Sequence, residues 1–238
     1  MNRFNLLNDY ETHFPQLKNK GMGESFSRPK LKKNQNTNSR KKLKGKKKKV
    51  QLLSSSQGRN CSVLLQQNLG EDFEVCGVVE PNAKLCDVVG DVQGLVKSFD
   101  ENDCVIVLGG TNDVELDGKY RETVAEGIKN VLPLSKQTNV IFNAIPSRFD
   151  RFDLQPHIRA ANEIIHREVN KSKDKNSSNV RINFGNERLT RDCYTRHGLH
   201  LNLRGKSEMC KRLSHLVLDC VVKTTYLESR EVVDRLNT

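Results

Sequence analysis

A five-stranded parallel sheet covered by helices on both faces, a three-layer α/β/α domain, is the fold class that three observations predict. Apolar runs of strand length alternate five times with amphipathic stretches between residues 50 and 224. One run, Cys104-Val105-Ile106-Val107-Leu108, is apolar throughout, as strands buried on both faces are. Charge is also segregated. The 40 Lys+Arg and 29 Asp+Glu give +11, yet residues 1–50 hold 15 basic and 3 acidic residues, which leaves 25 and 26 for the rest. The basicity therefore belongs to an arm, and behind it lies a near-neutral domain of about 175 residues, long enough for a sizeable core. A uniformly basic nucleic-acid-binding globule is excluded.

The arm comes first. Residues 28–49 carry 12 Lys or Arg and no acid, and such a stretch buries too little apolar surface to offset its ordering entropy. Residues 1–49 are accordingly expected to be a disordered basic arm, residues 50–224 the folded domain and residues 225–238 a frayed polar tail. Lys41, Lys42, Lys44, Lys46, Lys47, Lys48 and Lys49 are candidate contacts to DNA or RNA. No aromatic residue interleaves them, so the contact would be to phosphate and insensitive to sequence. A nuclear-import signal and a plain solvated linker are the other readings of the same charges.

Within the domain, strands are expected at 50–54, 73–79, 104–108, 139–145 and 180–184. Helices are expected at 58–68, 84–99, 120–132, 155–170 and 203–224. No run of 18 apolar residues offers a membrane span, and the first residues lack the apolar core and cleavage site of a signal peptide. The expected location is intracellular, cytoplasmic or nuclear. Seven scattered cysteines without a C-x-x-C pair point to small core residues, not to a disulfide framework or a zinc ribbon.

In an open parallel sheet the ligand site lies beyond the carboxyl ends of the strands. The loops there read Ser54-Ser55-Ser56-Gln57-Gly58-Arg59-Asn60, Glu80-Pro81-Asn82-Ala83 and Gly109-Gly110-Thr111-Asn112-Asp113, with His197-Gly198-Leu199-His200-Leu201-Asn202 before the last helix. Ser56 is placed at a helix N-terminus, where free N–H groups favour a developing anion. His200 is its candidate general base, and Asn112 a candidate donor to an oxyanion. Taken singly, the serines also read as a helix cap, and the Gly-Gly-Thr-Asn-Asp block as a turn. Cys193, His197 and His200 lack the second cluster a metal site needs. No Gly-rich phosphate loop follows the first strand, which argues against a nucleotide-binding domain.

The order of these blocks resembles the SGNH (GDSL-type) hydrolase superfamily over residues 50–224. Ser-Gln-Gly-Arg-Asn-Cys and the stretch 194–206 resemble the SGNH-like esterase domains in the first open-reading-frame proteins of some non-LTR retrotransposons and their host-genome relatives. The resemblance implies a flavodoxin-like SGNH fold. It also implies a serine nucleophile at Ser56, an oxyanion Asn at Asn112, a general base at His200, a second oxyanion donor in the Ser56 backbone, and no metal or organic cofactor. The implied substrate is an ester, small-molecule or lipid.

Three blocks depart from the family pattern. Ser54 and Ser55 replace Gly and Asp, and Asn82 stands where a Gly would supply an oxyanion backbone donor. His197 replaces the Asp that orients the catalytic imidazole, which leaves Asp192, His197 itself or a backbone carbonyl as substitute orienter. Two functions are compatible with this pattern: a slow intracellular serine esterase localised by its arm to nucleic acid, and a catalytically vestigial, retroelement-derived interaction module. Arg188, Arg191, Arg196, Arg204 and Lys206 around the last block read either as a solvated rim or as an attractor of anionic substrate.

Overall fold

The computed structural model describes residues 46–115, 118–173 and 179–236. Lys41, Lys42 and Lys44 of the arm lie outside them. Five strands, β1 (Lys48–Ser54), β2 (Phe73–Val79), β3 (Cys104–Leu108), β4 (Asn139–Asn143) and β5 (Val180–Asn183), form one sheet in the order β2-β1-β3-β4-β5. Every pairing is parallel. The helices are α1 (Cys61–Leu69), α2 (Leu85–Val88), α3 (Val92–Leu95), α4 (Tyr120–Val131), α5 (Gln155–Lys173) and α6 (Leu203–Leu236).

Side chains alternate across the sheet with period two, and this alternation builds two cores. Leu53, Val105, Val107, Val140 and Phe142 face the core that holds residues of α2 to α5, among them Leu85, Val124, Ile128, Ile158 and Ile165. Val50, Leu52, Cys104, Ile106, Leu108 and Ile141 face the other, with Cys61 and Leu65 of α1 and Met209, Leu213 and Val217 of α6. The three-layer arrangement expected from the sequence is therefore the one observed. All five residues of β3 are buried, as its unbroken apolar run required.

Most other boundaries shift by three residues or fewer from expectation, and four differences matter for the fold. Strand β1 starts at Lys48, so Lys48 and Lys49 belong to the sheet instead of a disordered arm. Their aliphatic stems lie along it, with the ammonium groups 5.7 Å from the Phe73 ring centroid and 5.8 Å from that of Phe99. Lys46 is likewise engaged, in an ion pair of 2.7 Å with Asp100. The helix expected over 84–99 is two single turns, α2 and α3, separated by a turn at Gly90. Strand β4 ends at Asn143, after which the chain turns into the loop toward α5. At the other end, α6 continues to Leu236, because residues 225–236 are polar but rich in helix-compatible Glu, Arg and Leu.

Asp103, 1% exposed, ties the amino ends of three strands together. Its carboxylate accepts from Lys49 N (2.6 Å) and Asp100 N (3.0 Å). Its carbonyl accepts from Thr138 Oγ1 (2.8 Å) and Asn139 Nδ2 (3.0 Å). Asp103→Ala removes the carboxylate acceptor from two backbone donors. It is expected to lower the free energy of unfolding in urea by about 1–3 kcal/mol, whereas an unchanged unfolding midpoint would contradict this role.

Candidate active site

The carboxyl end of β1 positions the serine. Ser55 N donates to Leu108 O (3.0 Å) and Glu80 N to Ser54 O (2.8 Å), so the chain stays fastened to both neighbouring strands where it leaves the sheet. Residues Ser56–Gly58 then form a single 3-10 turn. A Cβ at Gly58 would lie 2.3 Å from Ser54 Oγ, so only glycine fits there. Asn60, at φ 65°, is left-handed, and α1 starts only at Cys61. Ser56 is thus not at the N-terminus of an α-helix, as the sequence suggested. It heads a tight turn ahead of the helix, and the dipole argument loses its weight.

The histidine sits on a hairpin-like loop before α6. Tyr194 and Leu201 form an antiparallel bridge, Thr195 N donates to His200 O (2.8 Å), and Gly198 N donates to Thr195 O (2.9 Å). Asn202 locks the base of this loop. Its Nδ2 donates to Asp192 O (2.7 Å) and Tyr194 O (3.0 Å), and its Oδ1 accepts from Gly205 N (3.0 Å) in the first turn of α6. The loop after β4 lies against it. Phe149 N donates to Gly198 O (3.0 Å), and the Phe149 ring meets Tyr194 edge-on at 4.7 Å. Gly198, at φ 81°, is required here because a Cβ would come within 2.9 Å of Asp150 N.

These two constructions bring Ser56 Oγ to 3.0 Å from His200 Nε2, across 144 residues of sequence. Both residues are half-buried. Burial pushes the His200 imidazole below its ordinary 6.5, with Lys206, Arg59 and Arg148 acting in the same sense and Asp150 opposing them. The ring is therefore neutral at physiological pH, the state in which Nε2 can accept a proton.

The other expected residues are arranged differently. Asn112 Nδ2 donates to Ala83 O (2.9 Å), which fastens the turn after β3 to the loop after β2 and engages one of the two N–H groups of the amide. Asn82 is exposed and adopts φ 62°, a left-handed conformation that Asn tolerates better than most residues. The position keeps the backbone shape that glycine would give. His197 is exposed on the loop. Asp192, also exposed, is taken up by an ion pair with Arg204 (2.5 Å) and a short hydrogen bond from Thr190 Oγ1. Among the described residues, no hydrogen bond reaches Nδ1 of His200. Much of the basic group near the last block closes loops: Arg191 donates to Thr195 O and Arg196 O, and Lys206 Nζ to Arg59 O (2.9 Å).

Three further features escaped the sequence reading. Asp113 is fully buried and accepts from Leu85 N (2.9 Å), anchoring α2; burial raises its carboxyl pKa. Arg148, 4% exposed, holds Asp150 with two hydrogen bonds (3.0 and 2.5 Å) and also contacts Glu115. Gln57 joins the serine turn to the histidine loop. The loop after β4, which carries Arg148 and Asp150, follows a strand end like the others, and that position was the available signal.

The chain has the fold of G-D-S-L-type lipases and esterases. A lipase/acylhydrolase from Enterococcus faecalis superposes with a TM-score of 0.60 at 16% identity, covering 71% of this chain and 95% of its own. A family 3 carbohydrate esterase of Clostridium thermocellum gives 0.58 at 14%, covering 75% and 99%. A lipolytic protein assigned to the G-D-S-L family from Desulfitobacterium hafniense gives 0.52 at 16%, covering 70% and 98%. No model of a known protein family matches the chain, and no curated protein matches it in sequence.

Proposed function

We propose that this chain is a serine ester hydrolase, and the observation that carries the reading is the 3.0 Å contact between Ser56 Oγ and His200 Nε2. Its substrates are small-molecule or lipid esters. Ser56 Oγ attacks the carbonyl carbon while its proton passes to His200 Nε2, and the carbonyl oxygen becomes an oxyanion. The free N–H of the Asn112 amide, with the backbone N–H groups of Ser56 and Asn82, is the proposed donor set for that oxyanion. Collapse expels the alcohol, which takes the proton from Nε2. Water then attacks the acyl-enzyme, giving its proton to the same nitrogen, and Ser56 is regenerated.

The rate is expected to be low. With His197 in place of a carboxylate and Asp192 committed to Arg204, neither side chain holds the imidazole or balances its cation. Loss of an orienting acid costs on the order of 10⁴ in kcat in serine hydrolases while leaving measurable turnover. The same feature favours the second reading, a binding module of this fold that no longer turns over.

Hydrolysis of p-nitrophenyl acetate separates them. The wild type is expected to turn over and Ser56→Ala to fall to the buffer rate; equal rates would overturn the esterase reading. Because the imidazole titrates below 6.5 and must be neutral to accept the proton, kcat/KM is expected to rise with pH to a plateau, with its midpoint below 6.5.

The basic arm suits a polyanion, and we assign it the localising role. Its partner is DNA or RNA, in keeping with the likeness of 194–206 to the retrotransposon-associated domains. Lys46, Lys48 and Lys49 have structural partners, which puts the binding charge upstream of them. Deleting residues 1–45 is expected to abolish a salt-sensitive, sequence-indifferent association with duplex DNA or RNA while sparing ester hydrolysis. Retention of that association would place its source in the domain.

A further inference from the structure

The side chain of Gln57 makes two hydrogen bonds, both to the peptide groups that flank His200. Its Nε2 donates to Leu199 O (2.8 Å) and its Oε1 accepts from Leu201 N (3.3 Å). Gln57 is 3% exposed, so neither end of the amide has water as a ready alternative. Its neighbour in sequence is Ser56, and the residue it brackets is the one Ser56 contacts.

From these contacts we propose that Gln57 is a positioning residue that holds His200 against Ser56 through the backbone, in the role that a carboxylate on the imidazole would otherwise fill. The inference rests on the esterase reading for its catalytic consequence and on geometry for its structural one.

A carboxylate behind the ring fixes the imidazole directly. Here the two peptide groups that flank His200 are fixed instead: the first through the carbonyl of 199 by Gln57, the second through the carbonyl of 200 by Thr195 N (2.8 Å) and the N–H of 201 by Gln57. With the backbone so held, only χ1 and χ2 of His200 remain to be set, and the Ser56 contact selects among the few staggered choices of χ1 and the broad, two-fold range of χ2. Gln57 can do this because its own backbone is part of the 3-10 turn that presents Ser56, so displacement of one loop carries the other with it. The amide is neutral and cannot stabilise an imidazolium. It supplies orientation without charge, which agrees with an enzyme that keeps its geometry and loses rate.

Replacing the amide by an uncharged side chain of similar length tests this. Gln57→Met is expected to lower kcat for p-nitrophenyl acetate about 10- to 100-fold, the range a misplacement of roughly 1 Å produces, with KM changed by no more than about twofold. In a His200→Ala background the same substitution is expected to have no further effect, since Gln57 acts only through His200. A wild-type kcat in Gln57→Met, or an equal loss in both backgrounds, would overturn the proposal. The His200 ring titration followed by NMR is independent of turnover. Its midpoint lies below the ordinary imidazole value in the wild type and is expected to move up toward it in Gln57→Met, as the freed loop lets water in. An unmoved midpoint refutes the positioning role even in a protein that hydrolyses nothing, whereas an inactive wild type with a shifted midpoint refutes the esterase reading alone. Should Gln57→Met fail to fold, Gln57→Asn keeps the amide but is one methylene too short to bridge both peptides, and the same comparison applies.

Discussion

The site depends on two loops that meet only because the sheet is parallel and β1 lies inside it. With β1 between β2 and β3, the turn carrying Ser56 emerges at the carboxyl edge and is fastened to both neighbours. The histidine loop reaches that edge from the far end of the chain, where α6 packs against α1 beneath it. The 3.0 Å contact between Ser56 and His200 is the product of this arrangement. Gly58, Gly198 and Asn202 have a common purpose, which is to let the two loops turn tightly enough for the side chains to meet.

What distinguishes this site is the treatment of the imidazole. Its lowered pKa comes from burial and from the positive charges of Lys206, Arg59 and Arg148, opposed by an Asp150 that Arg148 itself binds. A ring in such surroundings stays neutral and available, but it is a weaker base, because the cation it becomes is poorly stabilised. In the proposed hydrolysis the chemistry would therefore lean on orientation and on donors at the oxyanion, with little help from a compensating negative charge.

Much of the fold was legible because buried parallel strands advertise themselves. Residues 104–108 can be little else, and 73–79 was placed with the bounds observed. Lys48 and Lys49 hid the start of β1, since lysine looks like arm in sequence yet here each places its ammonium over an aromatic ring. Gly90 broke a helix that hydrophobic spacing alone continued. At the site, Ser56 and His200 were readable from block order. The partners of Asn112, Asp192 and Gln57 were not, because an amide bonding to a peptide group 29 or 142 residues away, or a carboxylate pairing with an arginine 12 residues on, leaves no local pattern. The Asp192 carboxylate pairs with Arg204, so proximity in sequence to His200 did not translate into contact.

In the proposed reaction Ser56 is activated by His200. Reaction of the intact protein with a fluorophosphonate probe, followed by peptide mapping, tests this directly. One covalent adduct is expected, on Ser56, that forms in the wild type and is lost or strongly slowed in His200→Ala. Absence of label from Ser56, or labelling at an equal rate without the imidazole, would contradict it.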